Sequence, residues 1–111
     1  MQAKIVIERH VVPGRESQAL DIAVEMRSVA TKQLGYISGE TLIDTENHGT
    51  MIVVSTWRSV QDWKRWESNE DRLRIEGYLA PLLSRLAIVR VCADAGEFRA
   101  GREGSSANLY V

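Results

Sequence analysis

One cysteine, two prolines and two histidines are all that this 111-residue chain carries of the residues that most often staple, break or metallate a fold. A lone Cys92 cannot close an intramolecular disulfide, so cysteine usage gives no support for secretion. His10 and His48 lie far apart in sequence, and no His/Cys/Asp/Glu set has metal-ligand spacing on one element. Neither sign of charge dominates: 14 Lys and Arg stand against 15 Asp and Glu, which leaves no footprint for nucleic acid. No apolar run reaches membrane-spanning length, and the amino-terminal residues lack a basic-then-apolar leader pattern. Glycine-rich phosphate loops and nucleophile elbows are missing too. The expectation is one cytoplasmic domain with neither nucleic acid nor membrane as partner. A core of this size is modest, and many domains of this length gain stability by dimerising.

What the chain does have is patterned apolar sequence. Lys4 to Val12 reads as a strand, with Ile5, Ile7 and Val11 on one face and Val6, His10 and Val12 on the other. Pro13-Gly14 ends it. A helix over about 15–33 follows, in which Ala19, Ile22, Ala23, Met26, Val29 and Ala30 form an apolar stripe and Gly35 supplies the stop. Tyr36 to Asp44 and Thr50 to Trp57 read as strands around the turn Thr45-Glu46-Asn47-His48-Gly49. Ser59, with Asp62 three residues on, marks a helix start; that helix spans 60–67. Asn69, followed by Glu70 and Asp71, marks another that runs into Leu83 and should kink or break near Pro81. Ala87 to Ala93 is a last strand, beyond which Gly96 opens a Gly- and Ser-rich stretch.

The order is βαββαβ, the signature of an α+β ferredoxin-like plait: one four-stranded antiparallel sheet with its helices on one face. The other face still carries Val6, His10 and Val12. Pairing with a second copy, sheet against sheet, would hide it and yield a dimeric α/β barrel. Residues 1–95 form the domain. Residues 96–111 form a tail whose apolar end, Leu109 to Val111, could dock on the partner subunit.

The Pro13-Gly14 turn, Gly35-Tyr36-x-Ser38-Gly39-Glu40-Thr41-Leu42, Ser55-x-Trp57-x-Ser59 and Trp63-x-x-Trp66 together resemble the antibiotic biosynthesis monooxygenase domain, over about residues 2–95. The resemblance implies two chemistries. In one, haem is degraded with the help of an asparagine, a tryptophan and a histidine ligand. The tryptophan falls on Trp66, but the asparagine position holds Ile7 and the histidine position is at or near Glu76, a poor ligand for haem iron. In the other, a phenol or quinol reacts with dioxygen without metal, flavin or other cofactor. The pocket tryptophan is again Trp66, and the amide expected one turn earlier is Asp62. The tyrosine of the next helix has no clean match, Arg72 being near that spacing and Tyr78 further on.

Cofactor-free oxygenation asks for an apolar pocket, aromatic walls to orient a flat ring, and a group to form or stabilise the substrate anion. Trp66 serves either as core or as such a wall. Trp57, at a strand end, reads first as core, and Trp63 as core or surface, although its spacing lets it share the Trp66 face. Asp62 would orient the substrate. Arg9 interrupts the apolar strand face; it either snorkels to a salt bridge or reaches inward to the anion. Glu76 is a solvent-facing helix residue or, if buried, a base. Tyr78 packs with a wet hydroxyl, Ile7 lines the pocket, and Cys92 reads as a small buried hydrophobe. The function expected is a homodimeric monooxygenase for a small aromatic ligand; the alternative is a non-catalytic ligand-binding or sensing dimer.

Overall fold

A computed structural model describes residues 1–101 of the chain. Its order is β1 (Ala3–His10), α1 (Glu16–Ala30), β2 (Tyr36–Ile43), β3 (Thr50–Trp57), α2 (Val60–Glu67), α3 (Glu70–Leu79), β4 (Ile88–Cys92) and α4 (Ala95–Gly101). The strands form one antiparallel sheet in the order β2-β3-β1-β4, the ferredoxin-like arrangement expected from the βαββαβ pattern. None of the described helices is long and apolar enough to cross a membrane.

Local chemistry sets the element ends. The Ser59 hydroxyl accepts from the Asp62 amide at 3.1 Å and starts α2, and Asn69 Oδ1 accepts from the Asp71 and Arg72 amides and starts α3. Helix α3 stops at Leu79 and tightens into a 3-10 turn over Ala80–Leu82, the break that Pro81 demands. Helix α1 ends with its apolar stripe at Ala30, three residues before the expected end at Gln33. Lys32 and Gln33 bond back to Val29 and Ala30, three residues behind each, instead of extending the helix. Gly35, at φ 87°, then turns the chain into β2, and its carbonyl accepts from the Arg58 amide at 2.7 Å.

Residues of β1 alternate between the two faces. Ala3, Ile5, Ile7 and Arg9 point to the helices and are buried. Opposite them in β3 stand Trp57, Ser55, Val53 and Met51. This face meets Met26 and Ala30 of α1, Trp63 and Trp66 of α2 and Ile75 of α3 in one core cluster. A smaller cluster of Val11, Ala19, Leu79 and Leu82 closes the end of the sheet near the 3-10 turn.

The second face of the sheet is open in the single chain. Val6 lies opposite Val54, and Ile52 lies opposite Leu42, so an apolar band crosses three strands. Leu42 and Ile88 are 44% and 40% exposed, too open for a sheet face that is meant to stay wet. His10 sits on this face, its ring bonded to Glu8 and Thr50. Cys92 corrects an expectation: it is exposed, not buried, because β4 is an edge strand open to solvent along its whole length. Helix α4 is a second difference. Asp94 Oδ1 accepts from the Gly96 and Glu97 amides and caps it, so an Asp-x-x-Glu start signal lay inside a stretch that reads as Gly-rich. The expected docking of Leu109 to Val111 falls outside the described residues.

Gly35 carries a direct test. A Cβ there would meet the left-handed backbone and collide with the Asp62 carboxylate. Gly35→Ala should lower stability by about 1–3 kcal/mol, read as a lower urea midpoint. An unchanged midpoint would show that this turn does not hold the α1–β2 junction.

Candidate active site

Between the covered sheet face and the helices lies a cavity. Ile7, Arg9, Val53, Ser55 and Trp57 form its floor, with Tyr36, Gly39 and Thr41 from β2 beside them. Ala23, Met26, Arg27 and Ala30 of α1, Trp63 and Trp66 of α2, and Arg72 of α3 complete the wall. The envelope, its open mouth included, holds about 470 Å³ of atom-free space. The cavity itself is narrow, about 40 Å³. That is room for about one or two waters. A ring must therefore displace side chains to enter, and Met26, unbranched and flexible, is the wall residue best suited to give way.

The aromatic wall is built around Trp57. Its ring stacks with Trp66 at 6.4 Å and 21°. It meets Trp63 edge-on at 6.0 Å, and Tyr36 edge-on at 5.3 Å and 89°. Trp57 Nε1 donates to Ser55 Oγ at 3.0 Å, which fixes the indole. A bulge between Tyr36 and Ser38 shifts the β2 register and turns Ile37 outward. Gly39 then leaves space for the tyrosine, since a Cβ at that position would sit 2.6 Å from Tyr36 Oη. Partial burial raises the Tyr36 pKa, and Arg27 at the cavity mouth pulls it back down.

A charged cluster forms the other wall. Arg9 is 3% exposed, and its Nη2 donates to Glu76 Oε1 at 2.5 Å. Arg72 reaches the same oxygen at 3.2 Å, donates to the Glu67 carbonyl at 3.3 Å, and lies 5.2 Å over the Trp63 ring. Burial lowers the Arg72 pKa and the nearby Arg9 adds to this, whereas Glu76 and Glu67 oppose it. Two N–H groups on cavity-lining residues have no partner: Arg9 Nε and Trp63 Nε1. Each such buried donor costs about 1–3 kcal/mol when left unmade.

The structure thus brings Ile7, Arg9, Trp57, Trp63 and Trp66 together, and it separates the rest. Asp62 does not line the cavity. Its carboxylate is enclosed by Arg65 at 2.8 Å and Arg58 at 3.3 Å, so it locks α2 to the β3 end instead of presenting itself to a ligand. Tyr78 is 59% exposed on α3 and stands outside the cavity. Glu76 sits behind Arg9 as counter-ion to two guanidinium groups, which leaves it no free role as a base. Arg72 and Tyr36 were missed as site residues. The Arg72 signal was present: Arg72, Ile75 and Leu79 share a helical stripe, so Arg72 interrupts an apolar face as Arg9 does. Among the described residues no group of three or more His, Cys, Asp or Glu side chains could hold a metal ion.

Residues 3–76 match the family model for antibiotic biosynthesis monooxygenase. Three solved structures are similar in fold. A conserved protein from Methanosarcina mazei Go1 superposes with TM-score 0.80 at 13% identity, over 85% of this chain and 93% of that one. Rv0793 from Mycobacterium tuberculosis gives 0.78 at 16% identity, over 85% and 95%. SnoaB, a cofactor-independent oxygenase from Streptomyces nogalater, gives 0.73 at 12% identity, over 84% and 94%. No curated protein sequence matches the chain.

The Asp62 environment predicts an acid response. Its pKa lies below the ordinary 3.8, first through the Arg65 hydrogen bond, with burial opposing and Ser59 and Arg58 assisting. A carboxyl with a lowered folded pKa adds stability above its unfolded value and loses it as pH falls through the folded one. Urea unfolding at a series of acidic pH values should therefore show a flatter acid limb below 3.8 in Asp62→Asn than in wild type. Parallel curves would contradict this.

Proposed function

This chain belongs to the antibiotic biosynthesis monooxygenase family, and on that footing we propose that it oxidises a small aromatic phenol or quinol with dioxygen and without a cofactor. The observation that carries the reading is the cavity: Trp63 and Trp66 packed on Trp57 beside a buried arginine. Flat indole surfaces orient a ring, and a cation that never deprotonates stabilises the ring's oxyanion.

The chemistry balances without another electron source. A phenol and dioxygen give a quinone and water. One oxygen atom becomes the new ring carbonyl, and the other leaves with the hydroxyl hydrogen and the hydrogen of the attacked carbon. The phenolate is the electron donor, so the decisive task for the protein is to favour that anion. Arg9 and Arg72 do so electrostatically, and the phenolic proton goes to solvent, since Glu76 is already held by both arginines. Trp66 and Trp57 stack the ring, and the narrow apolar surroundings keep bulk water from the activated carbon. Haem degradation is disfavoured by the residues at hand. Ile7 stands on the cavity floor in place of an amide, His10 lies on the opposite sheet face, and His48 lies in the β2–β3 turn.

The working unit in this reading is a homodimer. The apolar band of Val6, Ile52, Val54 and Leu42, together with the open β4 edge, supports sheet-to-sheet pairing of two copies. Sedimentation at micromolar concentration should give a dimer. Leu42→Glu, which places a charge on that band, should shift the protein towards a monomer. A wild-type monomer at that concentration would contradict the pairing.

Oxygen consumption with a panel of quinols and polyphenols, run with a chelator present, tests the reaction. Trp66→Ala should cut kcat/KM for an accepted substrate by about tenfold or more through lost stacking. An unchanged value would remove Trp66 from the site. Ligand binding with no oxygen uptake by wild type would instead favour a binding or sensing dimer.

A further inference from the structure

We infer that this cavity selects aromatic ligands in anionic form, a ring bearing an ionised oxygen acid beside a second acceptor oxygen, through the surplus guanidinium charge of Arg9 and Arg72 and the unsatisfied donors Arg9 Nε and Trp63 Nε1. The inference rests on the cavity being the ligand site, and it narrows the substrate class.

The first observation is a charge imbalance. Two buried guanidinium groups, Arg9 and Arg72, share the single carboxylate Glu76, which leaves the cavity wall with one guanidinium more than it has paired carboxylates. Glu67 offsets only part of it: its charge favours the Arg72 cation from a distance, but its carboxylate pairs with Lys64 at the surface and Arg72 bonds only its backbone carbonyl. Buried charges persist in proteins when paired, so an anion is the complement that this wall lacks. Burial already presses on the charged form of Arg72, a penalty that an anion would relieve.

The second observation is independent of charge. Arg9 Nε and Trp63 Nε1 are buried donors without acceptors, and both residues line the cavity. The cation–π contact from Arg72 and the packing against Trp57 hold the Trp63 indole in place. Arg9 is held by Glu76 through Nη2, which leaves Nε for a ligand. Donors of both kinds ask for acceptor oxygens, and a carboxylate or an acidic phenol supplies them with the charge that a neutral polyphenol lacks.

Calorimetric titration of the full chain under nitrogen separates binding from oxygenation. Salicylate and salicylamide are nearly isosteric, and at neutral pH the first is an anion. Salicylate should bind about tenfold or more tightly. Arg9→Gln should erase that preference. Trp63→Phe, which removes one donor but keeps a ring, should weaken both ligands and preserve the preference. Equal affinity for the two ligands overturns the inference and leaves the monooxygenase reading standing. A preference that survives Arg9→Gln also overturns it. Failure of either ring to bind removes the aromatic site and the inference together. The wild-type comparison needs no variant, so the test stands even where Arg9→Gln does not fold.

Discussion

Arg9 is a permanent cation set into an otherwise apolar strand face, and its pairing with Glu76 constrains much of what surrounds it. A guanidinium 3% exposed cannot stay unpaired at acceptable cost. Glu76 answers it from 67 residues away along the chain, which ties β1 to α3 across the cavity. That tie fixes the register of α3. With Glu76 directed at β1, Arg72 one turn earlier is brought over Trp63, and Ile75 and Leu79 enter the two core clusters. Replacing the pair by apolar residues of similar volume could match its contribution to stability, so stability alone gives little reason for it. A ligand that uses the cation gives a better one.

The tryptophans supply the complementary constraint. Trp57 ends β3, Trp63 and Trp66 lie three residues apart on α2, and all three are nearly inaccessible to solvent. The Ser59 cap positions α2, and the Asp62 carboxylate binds Arg58 and Arg65 at its start. Asp62 therefore acts on the site indirectly, by holding the helix that carries two of its walls. Gly35 and Gly39 contribute by leaving space. The first admits the Asp62 carboxylate at the α1–β2 turn, and the second admits the Tyr36 hydroxyl beside the cavity.

Strand and helix order was legible because the local signals agreed with one another. Period-two alternation in β1, caps at Ser59 and Asn69, and the stop at Pro81 all act within a few residues of sequence. The site was legible in part. Arg9 and Trp66 announced themselves, one as a charge in an apolar pattern and the other through family resemblance. Asp62 and Tyr78 lie off the cavity lining, and their surroundings depend on tertiary structure that sequence does not reveal: two flanking arginines for Asp62, and the outer side of α3 for Tyr78. Arg72, named only for its spacing, and Tyr36 show the opposite case. Each joins the cavity through tertiary contacts, the Glu76 bridge for Arg72 and the β2 bulge with Gly39 for Tyr36. Cys92 shows the same limit, since it lies on an edge strand that is exposed along its whole length.

The central claim is that the hollow between sheet and helices receives an aromatic ring with its oxygen on Arg9. A crystal structure grown with a phenolic ligand tests it most directly. The account predicts a ring against Trp57 and Trp66, Met26 moved aside, and the ligand oxygen within hydrogen-bond distance of Arg9 Nε. A ring bound on the opposite sheet face, or a cavity still closed at saturating ligand, would contradict it.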